Sequence, residues 1–166
     1  MSAQLQFEST PAQRQALTVA DLDAVLAVEN IAYAFPWTRG NFIDSLAAGY
    51  LAQWLRGPGG AALGYLVAMP GVQEMHLLNL TVAPAWQHRG LARGLLDGLV
   101  ADSRAAGALC LWLEVRESNR RAQDIYGRYG FEQVGWRRAY YPAAAGRRED
   151  ACVMRLVIGE AGHALE

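Results

Sequence analysis

The sequence predicts a mixed α/β fold, with one sheet built around a parallel strand pair and flanked by helices. Two patterns carry that prediction. Strand-like apolar runs and amphipathic helical runs alternate along the chain, and "EMHLLNLTVAP", "GLARGLLDGLVADSRAAG" and "ALCLWLEV" follow one another as strand, helix and strand, the unit that sets two strands in parallel. The chain's 166 residues suit one domain that buries its core without disulfides or structural metal, and 52% hydrophobic against 19% charged residues is a globular balance.

Residues 1–15 are polar, aperiodic and interrupted by Pro11, so they read as a flexible N-terminal arm. The domain is expected over residues 16–158, with 159–166 as a tail. "ALTVADLDAVLAVENIAY" gives a short strand, Asp21 as a helix cap, and then Leu22, Val25, Leu26, Val28 and Ala32 at helical spacing. Pro36 in "AFPWT" stops that helix, and Thr38 caps a second one through "RGNFIDSLAAG". "YLAQWLR" and "AALGYLVAMP", joined by "GPGG", form a hairpin.

The third strand ends at Pro84, and the following helix carries Leu91, Leu95, Leu99 and Val100 as one stripe before Gly107 closes it. "ALCLWLEV" is almost continuously apolar, the pattern of a strand covered on both faces. "SNRRAQDIYGRYGF" is a helix with Ala122, Ile125, Tyr126 and Tyr129 on one face and Gly130 at its end. "EQVGWRRAYY" and "DACVMRLVI" complete the sheet.

Charge and motif content narrow the function. A net charge of -1 argues against a broad grip on nucleic acid, whose phosphates call for a basic surface. Cys110 and Cys152 sit in apolar strands without the paired spacing of a disulfide framework or zinc site, so both are expected to be reduced core residues and no metal is expected. The N-terminal stretch lacks a charged-then-apolar signal pattern, and no apolar run approaches the ~18 residues that span a bilayer. A cytoplasmic protein without membrane contact is expected.

Chemistry concentrates in two places. In "TVAPAWQHRGLARGLL" a strand passes into a helix through Gln87, His88, Arg89, Gly90, Leu91 and Ala92. Free N–H groups at a helix start, with the dipole, favour an anion such as pyrophosphate. A glycine in such a turn is also common turn chemistry, and the pattern is neither a Walker A loop nor the three-glycine dinucleotide fingerprint.

The second place is Glu114, which strand alternation sets with Cys110 and Trp112, opposite Leu111, Leu113 and Val115. It is either a strand-end carboxylate paired with Arg116 or a general base. Tyr126 reads as a core tyrosine or as a hydroxyl donor facing a cleft, and Asn119 as a helix N-cap or a ligand contact.

With "LTVAP" before it, Gln87-His88-Arg89-Gly90-Leu91-Ala92 resembles motif A, Gln/Arg-x-x-Gly-x-Gly/Ala, of the GNAT N-acetyltransferases, and the likeness runs from about Ala16 to Ile158. More narrowly, "AFPWT", "LWLEVRESN", "YGRYGF" and "RRAYYP" followed by "GRREDA" look like the bacterial ribosomal-protein-alanine N-acetyltransferases. The resemblance implies an acyl-CoA N-acyltransferase fold in which acetyl-CoA, as cosubstrate, lies where two parallel strands splay apart.

Leu80, Thr81 and Val82 would then contact the acetyl and pantetheine part, and His88, Arg89, Gly90, Leu91, Ala92 and Arg93 would cradle the pyrophosphate. Asn119 would touch the cofactor, Glu114 would accept a proton and Tyr126 would donate one. The implied partner is the N-terminus of a small-subunit ribosomal protein, entering between Phe35, Pro36 and Trp37 on one side and Tyr140 and Tyr141 on the other.

Glu74, Glu117, Glu149 and Asp150 would either favour a basic peptide or form solvated surface. Two departures stand out: Ala92 occupies a position where many relatives have glycine, and the loop "PAAAGRRED" is one arginine longer than the family pattern. Two alternatives stay open. One is a GNAT enzyme acting on other protein N-termini, lysines or small amines; the other is a CoA-binding sensor without turnover.

Overall fold

The computed structural model describes residues 12–160. In chain order its elements are β1 (Gln13–Ala16), α1 (Leu22–Ala32), α2 (Arg39–Ala47), β2 (Leu51–Arg56), β3 (Ala62–Gly71), β4 (Glu74–Val82), α3 (Leu91–Ala105), β5 (Cys110–Arg116), α4 (Arg120–Tyr129), β6 (Glu132–Pro142) and β7 (Arg148–Val157). The seven strands form one sheet in the order β1-β2-β3-β4-β5-β7-β6. Neighbours run antiparallel except β4 and β5, the pair joined through α3 as the strand-helix-strand pattern requires.

Each sheet face has its own core. Leu95, Leu96 and Leu99 of α3 pack with Tyr126 of α4 against Leu66, Leu111 and Leu113. On the opposite face Val25 and Val28 of α1 and Phe42 of α2 meet Trp54, Tyr65 and Val67. Thr38 caps α2 as the sequence predicts: its hydroxyl accepts from the Asn41 amide at 3.1 Å, and the Asn41 side chain accepts from the Thr38 amide at 2.9 Å.

Three local expectations need correction. β1 begins at Gln13, inside the stretch assigned to the arm; residues 1–11 of that arm and 161–166 of the tail lie outside the described residues. Asp21 holds the N-cap position of α1, but its side chain makes no cap bond there. Its carboxylate turns back to accept from the amide and hydroxyl of Thr18, both at 2.9 Å, closing a short 3-10 turn ahead of the helix. The third correction concerns β5, which is fully covered on one face only: Leu111, Leu113 and Val115 are buried, whereas Cys110, Trp112, Glu114 and Arg116 on the other face are only partly buried. α1 and α2 cover β2 to β4, leaving the Glu114 face of β5 open where the site forms.

Candidate active site

β4 and β5 pair only from Glu74–Leu77 against Cys110–Leu113. Beyond that point β4 stays with β3 as far as Val82, while β5 stays with β7 through Arg116, and the sheet opens into a V. Leu78 is the extra residue where the β3–β4 register shifts, a bulge at the point of divergence. The V holds a cavity of about 1060 Å³ that reaches Leu80, Thr81, Val82, Glu114, Asn119 and Tyr126. A second hollow of about 540 Å³ shares Val82, Gln87, Ala92, Arg121 and Ile125 with it, making one continuous groove.

The second hollow lies at the start of α3. His88, Gly90, Leu91, Ala92 and Arg93 line it. Gly90 holds the N-cap position with φ +78°, a left-handed conformation in which a Cβ is strained, and nothing lies within 4 Å of where that Cβ would be. The approach to the first free N–H groups of α3 is therefore open, the arrangement that receives a phosphate.

Arg89 does not line the hollow: its guanidinium stacks on the Trp86 ring at 4.7 Å. Arg121 and Arg128 of α4 do line it, with Arg93. Sequence reasoning did not single them out, although their seven-residue spacing on an amphipathic helix marks one face. Asn119 caps α4, accepting from the Ala122 amide at 3.1 Å, and also borders the larger cavity.

Glu114 is paired, but not with Arg116. Its carboxylate meets the Nε2 of His76 on β4, and its other oxygen lies 3.0 Å from the Nε of Arg137 on β6, with 7% of the side chain exposed. The Tyr141 hydroxyl donates to the Glu114 carbonyl oxygen at 3.0 Å. Tyr126 is buried with its ring 5.5 Å from that of Phe131, and it also borders the cavity. Burial raises its phenol above the ordinary tyrosine value, with further contributions from Tyr33 and Tyr141.

A buried glutamate that the sequence did not flag closes the floor. Glu29 of α1 is 1% exposed and accepts from the Trp37 amide at 2.8 Å, from Asn79 Nδ2 at 3.2 Å and from the Tyr65 hydroxyl. Asn79 in turn accepts from the Thr81 hydroxyl at 2.8 Å, and Thr81 meets the Tyr33 hydroxyl at 2.7 Å. This network ties the loop that carries Phe35, Pro36 and Trp37 to the strand end expected to hold the acetyl group. Its only hint in the sequence was a charged residue within the apolar run of α1.

Phe35, Pro36, Trp37 and Tyr141 all border the cavity. Tyr140 does not: it packs edge-on against Tyr141 at 4.8 Å and under Arg137 at 5.4 Å. Of the four acidic residues considered for a basic peptide, Glu149 reaches the cavity but is bound to Arg116 at 2.7 Å, and Asp150 accepts from the Ala139 amide at 2.8 Å. Glu74 starts β4, at the end of the strand away from the V. The long loop closes as a tight turn, and Arg148 folds back to donate to the carbonyls of Ala139 and Tyr140 at 2.7 and 2.8 Å.

The model of the acetyltransferase (GNAT) family matches residues 22–131, which include the V, the α3 turn and both Glu114 and Tyr126. The chain belongs to this family. It is 38% identical over 142 residues to the [ribosomal protein bS18]-alanine N-acetyltransferase of Escherichia coli K12, covering 86% of this chain and 95% of that protein. Identity to the Haemophilus ducreyi protein of the same name is 35%, over 83% of this chain and 94% of that one. The crystal structure of the ribosomal-protein-S18-alanine N-acetyltransferase from Escherichia coli superposes with a TM-score of 0.83 at 36% identity, covering 93% of this chain and 98% of that one.

The GNAT fold therefore extends over the described elements, including β6 and β7, which lie outside the family match. Among the described residues no cluster of three or more His, Cys, Asp and Glu side chains is placed to hold a metal, and no helix is long and apolar enough to cross a membrane. Both cysteines are free. Cys152 is buried, with its thiol raised by burial, and Cys110 accepts from the Trp112 indole at 3.0 Å on the open sheet face.

Proposed function

We propose that this protein transfers the acetyl group of acetyl-CoA to the N-terminal alanine α-amine of a ribosomal protein of the bS18 type, by direct attack within the V. The observation that carries the reading is that Glu114 and Tyr126 border one cavity that runs into the open start of α3. The family, and relatives at 35–38% identity that match most of their length, support the substrate class.

Leu80, Thr81 and Val82 would hold the acetyl and pantetheine part along the splayed end of β4, and the α3 N-terminus would hold the pyrophosphate. An α-amine with a pKa of about 8 is mostly protonated near neutrality and must lose a proton before it attacks. Glu114, directly or through a water, accepts that proton, with His76 and Arg137 fixing its carboxylate. The amine nitrogen then forms its bond to the thioester carbonyl and gives up its second proton to solvent, and collapse of the tetrahedral intermediate breaks the C–S bond and releases a thiolate.

Tyr126 faces that thiolate. Against a thiol of about 8.5, an ordinary phenol of about 10 makes full proton transfer uphill by roughly 2 kcal/mol. Burial pushes the Tyr126 phenol higher still, so its part is hydrogen-bond donation to the sulfur, and solvent supplies the final proton. No enzyme nucleophile is needed, and neither cysteine takes part.

Incubating the protein with acetyl-CoA and a panel of N-terminal peptides, lysine peptides and small amines, followed by mass spectrometry, tests this reading. A gain of one acetyl group on an alanine-first basic peptide is expected. Transfer to small amines alone would overturn the acceptor, and CoA binding without any transfer would favour a sensor.

A further inference from the structure

Arg116 lies on the same face of β5 as Glu114, two residues nearer the mouth of the V. Its guanidinium sits 5.2 Å from the ring of Phe35 and 4.6 Å from that of Tyr141. It also donates to the Pro142 carbonyl at 2.6 Å and to Glu149 at 2.7 Å. Glu149 is itself fixed by the Ser118 hydroxyl and amide at 3.1 and 3.3 Å. All seven residues border the cavity. Among the described residues no hydrogen bond or ion pair joins the loop of residues 33–38 directly to the hairpin of residues 140–149. Arg116 is what both of them touch.

We propose that Arg116 is the residue that sets acceptor size: it clasps the two sides of the entrance and forms the wall beside the acceptor's first side chain. The proposal rests on the N-terminal acetyltransferase reading above. Arg116 stands one two-residue strand repeat, about 6–7 Å, beyond Glu114 toward the mouth, so an acceptor whose α-amine reaches Glu114 brings its first side chain within reach of Arg116. A planar guanidinium held by two aromatic rings, a carbonyl and a carboxylate has little freedom to yield there. Small first residues pass, whereas large ones must displace the clasp. A lysine, a point charge on a flexible stem, cannot reproduce the planar contacts.

The test measures kcat/KM for otherwise identical peptides beginning with alanine, serine, leucine or methionine, on wild type, Arg116→Ala, Arg116→Lys and Glu149→Gln, with acetyl-CoA affinity measured separately. The expected result is that Arg116→Ala raises KM for the alanine peptide about tenfold. The same variant should narrow the preference for alanine over leucine by at least as much, with acetyl-CoA affinity unchanged. Arg116→Lys should behave like the alanine variant, and Glu149→Gln should move the same way by less.

Should Arg116→Ala fail to fold, the lysine and Glu149 variants carry the same comparison. An unchanged order of preference in folded variants, or full rescue by lysine, overturns the clasp while leaving the acetyltransferase reading in place. Wild type that acetylates none of the peptides overturns both.

Discussion

The two halves of the groove are built by different means. The half expected to hold acetyl-CoA is centred on one contiguous stretch, the end of β4, the Gly90 turn and the first turn of α3 with its free N–H groups, and α4 adds Arg121 and Arg128 to its wall. The acceptor half is assembled from side chains far apart in the chain: Glu29 and Phe35 near its start, His76 and Glu114 in mid-sheet, and Arg137, Tyr141 and Glu149 near its end. A backbone cradle depends on conformation at one or two positions, whereas a side-chain assembly depends on every long-range partner. The first half should therefore tolerate most side-chain changes, and the second should fail at single substitutions.

The largest effect should come from Glu114→Gln. The amide keeps the shape but cannot take a proton, and loss of a positioned general base costs on the order of 10²–10⁴ in rate. The loss in kcat should be greatest below the amine's pKa of about 8 and shrink above it, where the amine is already free. Acetyl-CoA affinity should stay within twofold of wild type. Stopped-flow acetylation across pH checks this, and equal rates for variant and parent at every pH would remove Glu114 from the chemistry.

Tyr126→Phe should fall next, because a lost hydrogen bond to a charged sulfur is worth about 1.5–3 kcal/mol, or roughly ten- to a hundredfold in kcat. Circular dichroism should show an intact fold. A wild-type rate would return Tyr126 to a purely packing role.

Glu29→Gln asks which half the buried network serves. One carboxylate oxygen faces the Trp37 amide and the other faces Tyr65 and Asn79, so an amide must turn its NH₂ toward a donor on one side. A buried group left unpaired costs about 1–3 kcal/mol. The expected outcome is lowered stability and a peptide KM raised about tenfold, with acetyl-CoA affinity held. Loss of acetyl-CoA affinity instead would assign Glu29 to the cofactor half.

Gly90→Ala probes the other half in isolation. No atom blocks the added methyl, so its cost is the left-handed backbone alone, roughly 1–2 kcal/mol. Acetyl-CoA affinity should weaken by about tenfold, and peptide KM at saturating acetyl-CoA should not change.

The same contrast explains what could be read from the sequence. Gly90 and its turn, Asn119 as a cap and Thr38 as a cap are local and follow from spacing within a few residues, and the parallel strands around α3 follow from the unbroken order of strand, helix and strand. The V itself was not visible as geometry, because it depends on β4 and β5 keeping different partners beyond Leu77 and Leu113. Glu114 stood out as a charge in an apolar strand. Its true partners did not, since His76 and Arg137 lie 38 and 23 positions away while Arg116 lies next on the same face. Glu29, and the contacts of Arg116 with Phe35, Tyr141 and Glu149, were missed for the same reason: a residue that joins distant segments carries no local signature.

The smallest effect concerns pH and the acceptor half alone. Burial works to raise the Glu149 carboxyl, but hydrogen bonds from Arg116 and Ser118 outweigh it and hold the group below the ordinary glutamate range. A carboxyl whose folded value lies below its unfolded value contributes stability that is fully present above the unfolded value and is lost as pH falls through the folded one. Between pH 8 and 6 the Arg116–Glu149 pair should therefore hold at constant strength, and its contribution should fade only below about pH 4.3. Because the pair is partly exposed, the change should be small and should shrink with added salt. Chemical denaturation of wild type and Glu149→Gln across pH measures it: the two stability curves should run parallel near neutrality and converge in acid. Convergence already at neutral pH would show that Glu149 does not stay ionised in the clasp, and the entrance would then be held by the stacking of Arg116 on Phe35 and Tyr141 alone.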